Sequence, residues 1–99
     1  MGIYTDAIAS LRRGKTVQVT VTGGQLAPRV PVGTIISLIP TDMARPLKPG
    51  DVVLYRADNR DRLLLVKSIS VGRIKLGTAD KPLDGWASPA NIYGVALLG

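Results

Sequence analysis

The side chains that could perform chemistry in this sequence are few, and their types narrow the field quickly. Histidine and cysteine are both absent. Their absence removes imidazole bases, histidine triads, zinc-hydrolase chemistry, thiolate nucleophiles, disulfides and any histidine pH switch. Lysine, aspartate and hydroxyl chemistry remain. Lys67 ends the apolar run Leu63-Leu64-Leu65-Val66. Counted by twos along an extended strand, it shares a face with Leu63, Leu65 and Ile69, while Leu64, Val66, Ser68 and Ser70 point the other way. A lysine on an apolar face has two physical readings. Desolvation lowers its pKa toward neutrality and makes it a base, or it is a surface residue whose stem lies over the sheet while the ammonium reaches water.

The carboxylates offer less. The acidic residues number seven and all are aspartate. Asp58 and Asp61 fall at a hairpin tip beside Arg60 and Arg62, which reads as a solvated turn rather than a metal or acid–base site. Asp80 and Asp84 flank a loop and suit turns and caps. Gly23-Gly24 is not a phosphate loop, because no Gly-Lys-Ser/Thr follows it. Trp86 is the sole tryptophan; it is expected to anchor its loop on the core, with a role as a partner hot spot as the rival reading.

The elements that must position these groups follow from periodicity and punctuation. Residues 4–13 read as a short helix: Thr5 is a candidate cap, Ala7, Ile8 and Leu11 form an apolar stripe, and Gly14 suits the left-handed position after the helix. Arg12 and Arg13 complement the dipole at its end. Lys15–Thr22 alternates Val17, Val19 and Val21 against Gln18, Thr20 and Thr22, the pattern of a half-buried strand. Further strands are predicted over 34–39, 51–56, 62–70, 73–78 and 92–98. A turn is expected at Pro49-Gly50, a loop over 57–61, and a turn at Gly72. The 99 residues make one domain, a helix over 1–14 followed by a β domain over 15–99. There is no phenylalanine, so valine, leucine, isoleucine and alanine must build the core.

Several of these pieces, taken in order, carry a resemblance. Gly23-Gly24-Gln25-Leu26-Ala27-Pro28, then Gly33, then Pro49-Gly50-Asp51-Val52-Val53, then Leu65-Val66-Lys67 resembles the pattern of LexA-like and signal-peptidase-like serine–lysine peptidases. That pattern runs Gly-x-Ser-Met-x-Pro, a later glycine, a Gly-Asp-Val/Ile-Val strand and a lysine on the next strand. The stretch from Gly77 to Gly85-Trp86 and then Ile92-Tyr93-Gly94-Val95 is similar to the closing part of small actinobacterial and phage members. The likeness spans about residues 15–96. It implies an all-β fold of coiled sheets including a small SH3-like barrel, with the short helix in front.

In that family a serine hydroxyl attacks the scissile carbonyl and a buried neutral lysine takes its proton. Here Gln25 stands at the serine position and Leu26 at the methionine. No hydroxyl occurs from 23 to 28, and Thr20 and Thr22 belong to the preceding strand. The resemblance therefore implies a degenerate dyad, Gln25 and Lys67, with the Gln25 oxygen as acceptor for the stranded ammonium. The expected function is a catalytically inactive, peptidase-like domain that binds another protein, its cleft lined by Gly24, Gln25, Leu26, Pro28 and Lys67. It would suit a bacteriophage protein acting on a host component.

Two rival readings stand beside it. A balance of 13 Lys+Arg against 7 acidic residues, net +6, suits a nucleic-acid-binding basic domain, although the basic residues are scattered and no aromatics interleave with Arg12, Arg13 and Lys15. An active peptidase using a non-standard hydroxyl is the other. No cofactor or metal is expected, and homodimerisation is open. No apolar run approaches the ~20 residues of a membrane span and no signal pattern opens the chain, so the expected location is cytoplasmic, the host cytoplasm if phage-encoded.

Overall fold

The computed structural model describes residues 4–22, 26, 30–41, 46–57, 60–78, 81–82 and 85–97, with the side chain of residue 97 excepted. Helix α1 (Thr5–Arg12) precedes β1 (Val17–Thr20), β2 (Ile35–Pro40), β3 (Val52–Ala57), β4 (Arg60–Ser70), β5 (Arg73–Gly77) and β6 (Ile92–Leu97), and a 3-10 turn at Pro89–Asn91 leads into β6. The strands form one sheet in the order β1-β2-β6-β3-β4-β5, with every pairing antiparallel. The mainly β expectation with one short helix is met.

The helix ends as its sequence requires. Gly14 takes φ 81, its N–H donates to Leu11 O at 3.0 Å, and the Lys15 N–H donates to Ser10 O at 3.1 Å, a Schellman closure that only a glycine adopts cheaply. The start differs from expectation. Tyr4, not Thr5, occupies the capping position, without a side-chain cap. Thr5 is the first helical residue, and its hydroxyl instead accepts from Arg56 Nη2 at 3.3 Å. The buried Ile8 and Leu11 face the sheet.

Two apolar clusters sit on opposite faces of the sheet. The first gathers Tyr4, Ile8 and Leu11 with Val21, Leu26, Val30, Ile36, Leu38, Val52, Leu54, Leu63, Leu65 and Ala96. The second gathers Val53, Leu64, Val66, Ile74, Leu76, Ala87, Ile92 and Val95. Strands β3 and β4 are thus buried on both faces. This explains why Val52-Val53-Leu54 and Leu63-Leu64-Leu65-Val66 are unbroken apolar runs where one-sided β1 alternates.

Two bulges curl the sheet. Leu54 pairs with Gly94 and Tyr55 with Ile92, which leaves Tyr93 as an inserted residue. Val66 pairs with Leu76 and Ser68 with Lys75, which leaves Lys67 as the other. A bulge adds a residue to one strand, bends it and increases local twist. Each one also switches the alternation, so Ile92 and Val95, three apart, both reach the second cluster.

The turns are tighter than predicted at one place and as predicted at another. The β3–β4 ladder runs to the pair Ala57↔Arg60, so the connection is residues 58–59 rather than a loop over 57–61. Pro49-Gly50 makes the expected turn: Gly50 has φ 96, and the buried Asp51 accepts from the Lys48 N–H at 2.9 Å. The free edge of β5 is covered by a returning segment. Ile74 and Ala87 exchange hydrogen bonds of 2.9 and 2.7 Å, and Gly77 bridges to Pro82.

Candidate functional site

Among the five residues expected to line a cleft, Gly24, Gln25 and Pro28 lie outside the described residues; Leu26 and Lys67 are described. Leu26 is completely buried in the first cluster.

Lys67 is half-buried at the β4 bulge. Its register neighbours fix its side. Leu65 pairs with Gly77, and cross-strand partners point to the same face. A Cβ placed on Gly77 would lie 3.1 Å from Lys67 Cε. The Lys67 stem therefore lies on the face of Leu65, as the count by twos predicts. Ile69 does not follow. It pairs with Ile74 of the second cluster, because the inserted Lys67 shifts the alternation by one residue. The stem of Lys67 passes over Gly77 beside the backbone of Lys81 and Pro82, leaving no room there for any side chain on residue 77.

Asp61 is not the solvated turn residue predicted. Its side chain is fully buried, while Arg56 keeps 31% of its side chain exposed. The pair is bidentate, Nε to Oδ1 at 2.6 Å and Nη2 to Oδ2 at 3.2 Å. Oδ2 also accepts from the Tyr4 N–H at 3.3 Å. A carboxylate from the β3–β4 hairpin thus takes up a backbone donor at the start of α1, the task assigned to Thr5 from sequence. The hydrogen bond that Arg56 donates to Asp61 raises the Arg56 pKa above its ordinary value; desolvation opposes this, and the attraction of the Asp61 charge adds to it. The group is structural. Asp58 lies outside the described residues, as do Asp80 and Asp84.

Trp86 does not pack into the core; Ala87 does. The indole is 45% exposed, with the Arg73 guanidinium 4.7 Å from the ring centre and the Lys75 ammonium at 5.6 Å. Lys75 also donates to the Gly85 carbonyl at 2.9 Å. Arg73 and Lys75 are two apart on β5 and so project from one side of it. The Ile74–Ala87 bridge holds Trp86 across from them. The ring lies against these cations and stays partly open to solvent.

An apolar groove opens at the hairpin tip on the opposite face, that of Ile69 and Ile74. About 260 Å³ in volume, it is lined by Pro46, Leu47, Ile69, Gly72, Arg73 and Pro89, among others. A wider hollow of about 510 Å³ lies between the end of α1 and β6, near Leu11, Arg12 and Tyr93; Thr41 Oγ1, on its wall, donates to the Ile92 carbonyl at 3.0 Å. Among the described residues no helix is long and apolar enough to cross a membrane.

No protein family, curated protein or solved structure was found to match the chain. Two features beyond the sequence reading thus come from geometry alone. The Arg56–Asp61 clamp had a faint signal, two opposite charges at either end of one predicted hairpin loop. The Arg73–Trp86–Lys75 cluster had a better one, two cations at i and i+2 on a strand of a chain with one tryptophan.

Proposed function

We propose that this chain is a catalytically inactive, peptidase-like domain that acts as a protein-binding module. The observation that carries the reading is the place of Lys67, half-buried on the face of Leu65, in a chain with a carboxamide, Gln25, where the resemblance puts the attacking serine. A carboxamide is a poor nucleophile, and neither a thiol nor an imidazole exists in the chain to replace the hydroxyl. In this reading the twice-bulged sheet is the coiled framework of the LexA-like and signal-peptidase-like fold, with its small SH3-like barrel. Gln25 accepts a hydrogen bond from the Lys67 ammonium, and the partner is a polypeptide. If the chain is phage-encoded, that partner is a host protein in the host cytoplasm.

The test restores the missing group. The wild-type chain is expected to resist covalent labelling by a serine-directed electrophilic probe. Gln25→Ser is expected to become labelled at position 25, with labelling lost again when Lys67→Ala is added. A folded Gln25→Ser chain that stays unlabelled, or one labelled equally without Lys67, removes the basis for a serine–lysine ancestry.

A further inference from the structure

The β4–β5 hairpin gathers cations that the sequence scatters. Ser68 pairs with Lys75 and Ser70 with Arg73, and cross-strand partners share a face. Ile69 and Ile74 point the other way, toward the second cluster and the groove. The Lys67 stem, crossing Gly77, lies on the side of Lys75 as well, because residues 75 and 77 alternate alike along β5. Trp86 follows from its neighbour: Ala87 bridges to Ile74, so the indole comes to the side of Arg73 and Lys75, against both cations. One face thus presents Lys67, Arg73 and Lys75, two exposed serine hydroxyls and a half-exposed ring. The carboxylates among the described residues are elsewhere: Asp6 on α1, Asp51 at the Pro49-Gly50 turn, and Asp61 against Arg56.

We propose that this face binds single-stranded nucleic acid, at a site that goes beyond the protein-binding reading and does not rest on it. The part of the indole open to solvent stacks on one base. Arg73 and Lys75, two apart on β5 and so about 7 Å apart along it, take neighbouring phosphates. The Lys75 ammonium has three donors and gives one to the Gly85 carbonyl, which leaves two for a phosphate. The Ser68 and Ser70 hydroxyls donate to phosphate oxygens, and Lys67 adds to the positive field. A ring that stacks selects unpaired bases, because a duplex hides its base faces. An acidic polypeptide would match the charge but lack an anchor. The exposed Ile69 points to the opposite face, and among the described residues on this one only Trp86 offers apolar surface, whereas peptide docking depends on side chains seated in apolar pockets.

Trp86 is the only tryptophan in the chain, so its emission reads the site. Three probes are titrated at low salt: a short oligothymidylate, an abasic strand of the same length, and a peptide of Glu and Ser. Saturable quenching by oligothymidylate is expected, with the abasic strand and the peptide each binding at least about tenfold more weakly. By anisotropy of a dye-labelled oligothymidylate, Trp86→Ala is expected to weaken binding about tenfold. In Arg73→Thr/Lys75→Thr the slope of log affinity against log salt is expected to flatten by about 1.4, the share of two phosphates on a single strand. Arg12→Gln/Arg13→Gln removes the same charge from α1, which packs chiefly against β1, β2 and β6, and is expected to change affinity by no more than about twofold. No saturable response, equal binding of the abasic strand, tighter binding of the peptide, or an equal loss from the Arg12/Arg13 pair overturns the proposal. Should the threonine variant unfold, Trp86→Ala and the abasic strand still decide. The labelling of Gln25→Ser is read separately and bears on the peptidase ancestry alone.

Discussion

Replacing Asp61 with alanine is expected to lower the midpoint of thermal unfolding by about 5–20 °C. The size follows from what the carboxylate holds. The Tyr4 N–H donates to it in a buried setting, and a buried donor left without an acceptor costs about 1–3 kcal/mol. In a domain of this length each kcal/mol moves the midpoint by roughly 4–8 °C. Arg56 adds less than a fully buried partner would, because a third of its side chain already meets water and it can turn outward once its partner is gone. Asp61→Asn separates the two contributions. The amide oxygen keeps an acceptor for Tyr4, so the drop is expected to be less than half that of Asp61→Ala. Because Tyr4, Ile8 and Leu11 close the first cluster, exchange of the α1 amides should speed up before that of β3 and β4. Equal midpoints for wild type and Asp61→Ala, measured by calorimetry, would mean that the helix start is held by something else.

Asp61 also shows where the sequence was legible and where it was not. The strand was readable from Arg62 onward, and so was its neighbour, because Leu63 to Val66 is too apolar to lie anywhere but in a core; Asp61 itself fell in the expected loop. The direction of the Asp61 side chain was not. In sequence it sits among Asp58, Arg60 and Arg62, the composition of a wet turn. The β3–β4 ladder runs to Ala57 and Arg60, however, so Asp61 stands inside the sheet, facing the arriving helix. A chain distance of 57 residues separates it from Tyr4, and no local pattern carries that pairing. The helix end was readable because Gly14 acts locally, through its own φ.

The bulges account for most of the rest. Alternation by twos assigns faces correctly only while no residue is inserted. Leu63, Leu65 and Lys67 therefore came out on one side, as found, and Ile69 did not. Isoleucine suits either face, so its type could not signal the slip. Trp86 failed differently. Its size argues for the core, but the neighbouring Ala87 fills the available space, and two cations on the adjacent strand give the indole a surface site instead. Of the candidate dyad, the sequence placed Lys67 on its face, while Gln25 lies outside the described residues.

Gly77→Ala is expected to destabilise the domain by about 2 kcal/mol, or on the order of 10 °C in the midpoint. The residue shows no left-handed φ, so the penalty comes from space alone. A Cβ would lie 2.5 Å from the Lys81 carbonyl oxygen and 2.6 Å from Pro82 Cα, both backbone atoms with no rotamer to change. Strand β5 cannot yield, because Ile74 and Leu76 are seated in the second cluster. The covering segment must move instead. That breaks the bridge from Gly77 to Pro82 and the 2.9 Å hydrogen bond from the Thr78 N–H to Lys81 O. Overpacking of this kind costs about 1–3 kcal/mol. Alanine returns about 0.5–1 kcal/mol by restricting the unfolded chain, so the clash wins. Gly72→Ala is the control: nothing lies within 4 Å of a Cβ there, and its cost, through φ 74, is about 1–2 kcal/mol without disturbing the Thr78 amide. Lys67→Ala removes the 3.1 Å contact but neither backbone clash, so it should not rescue Gly77→Ala. A Gly77→Ala chain as stable as wild type, with the Thr78 amide still protected, would show that residues 81–82 do not cover β5, and the Lys67 stem would then have no fixed course across Gly77.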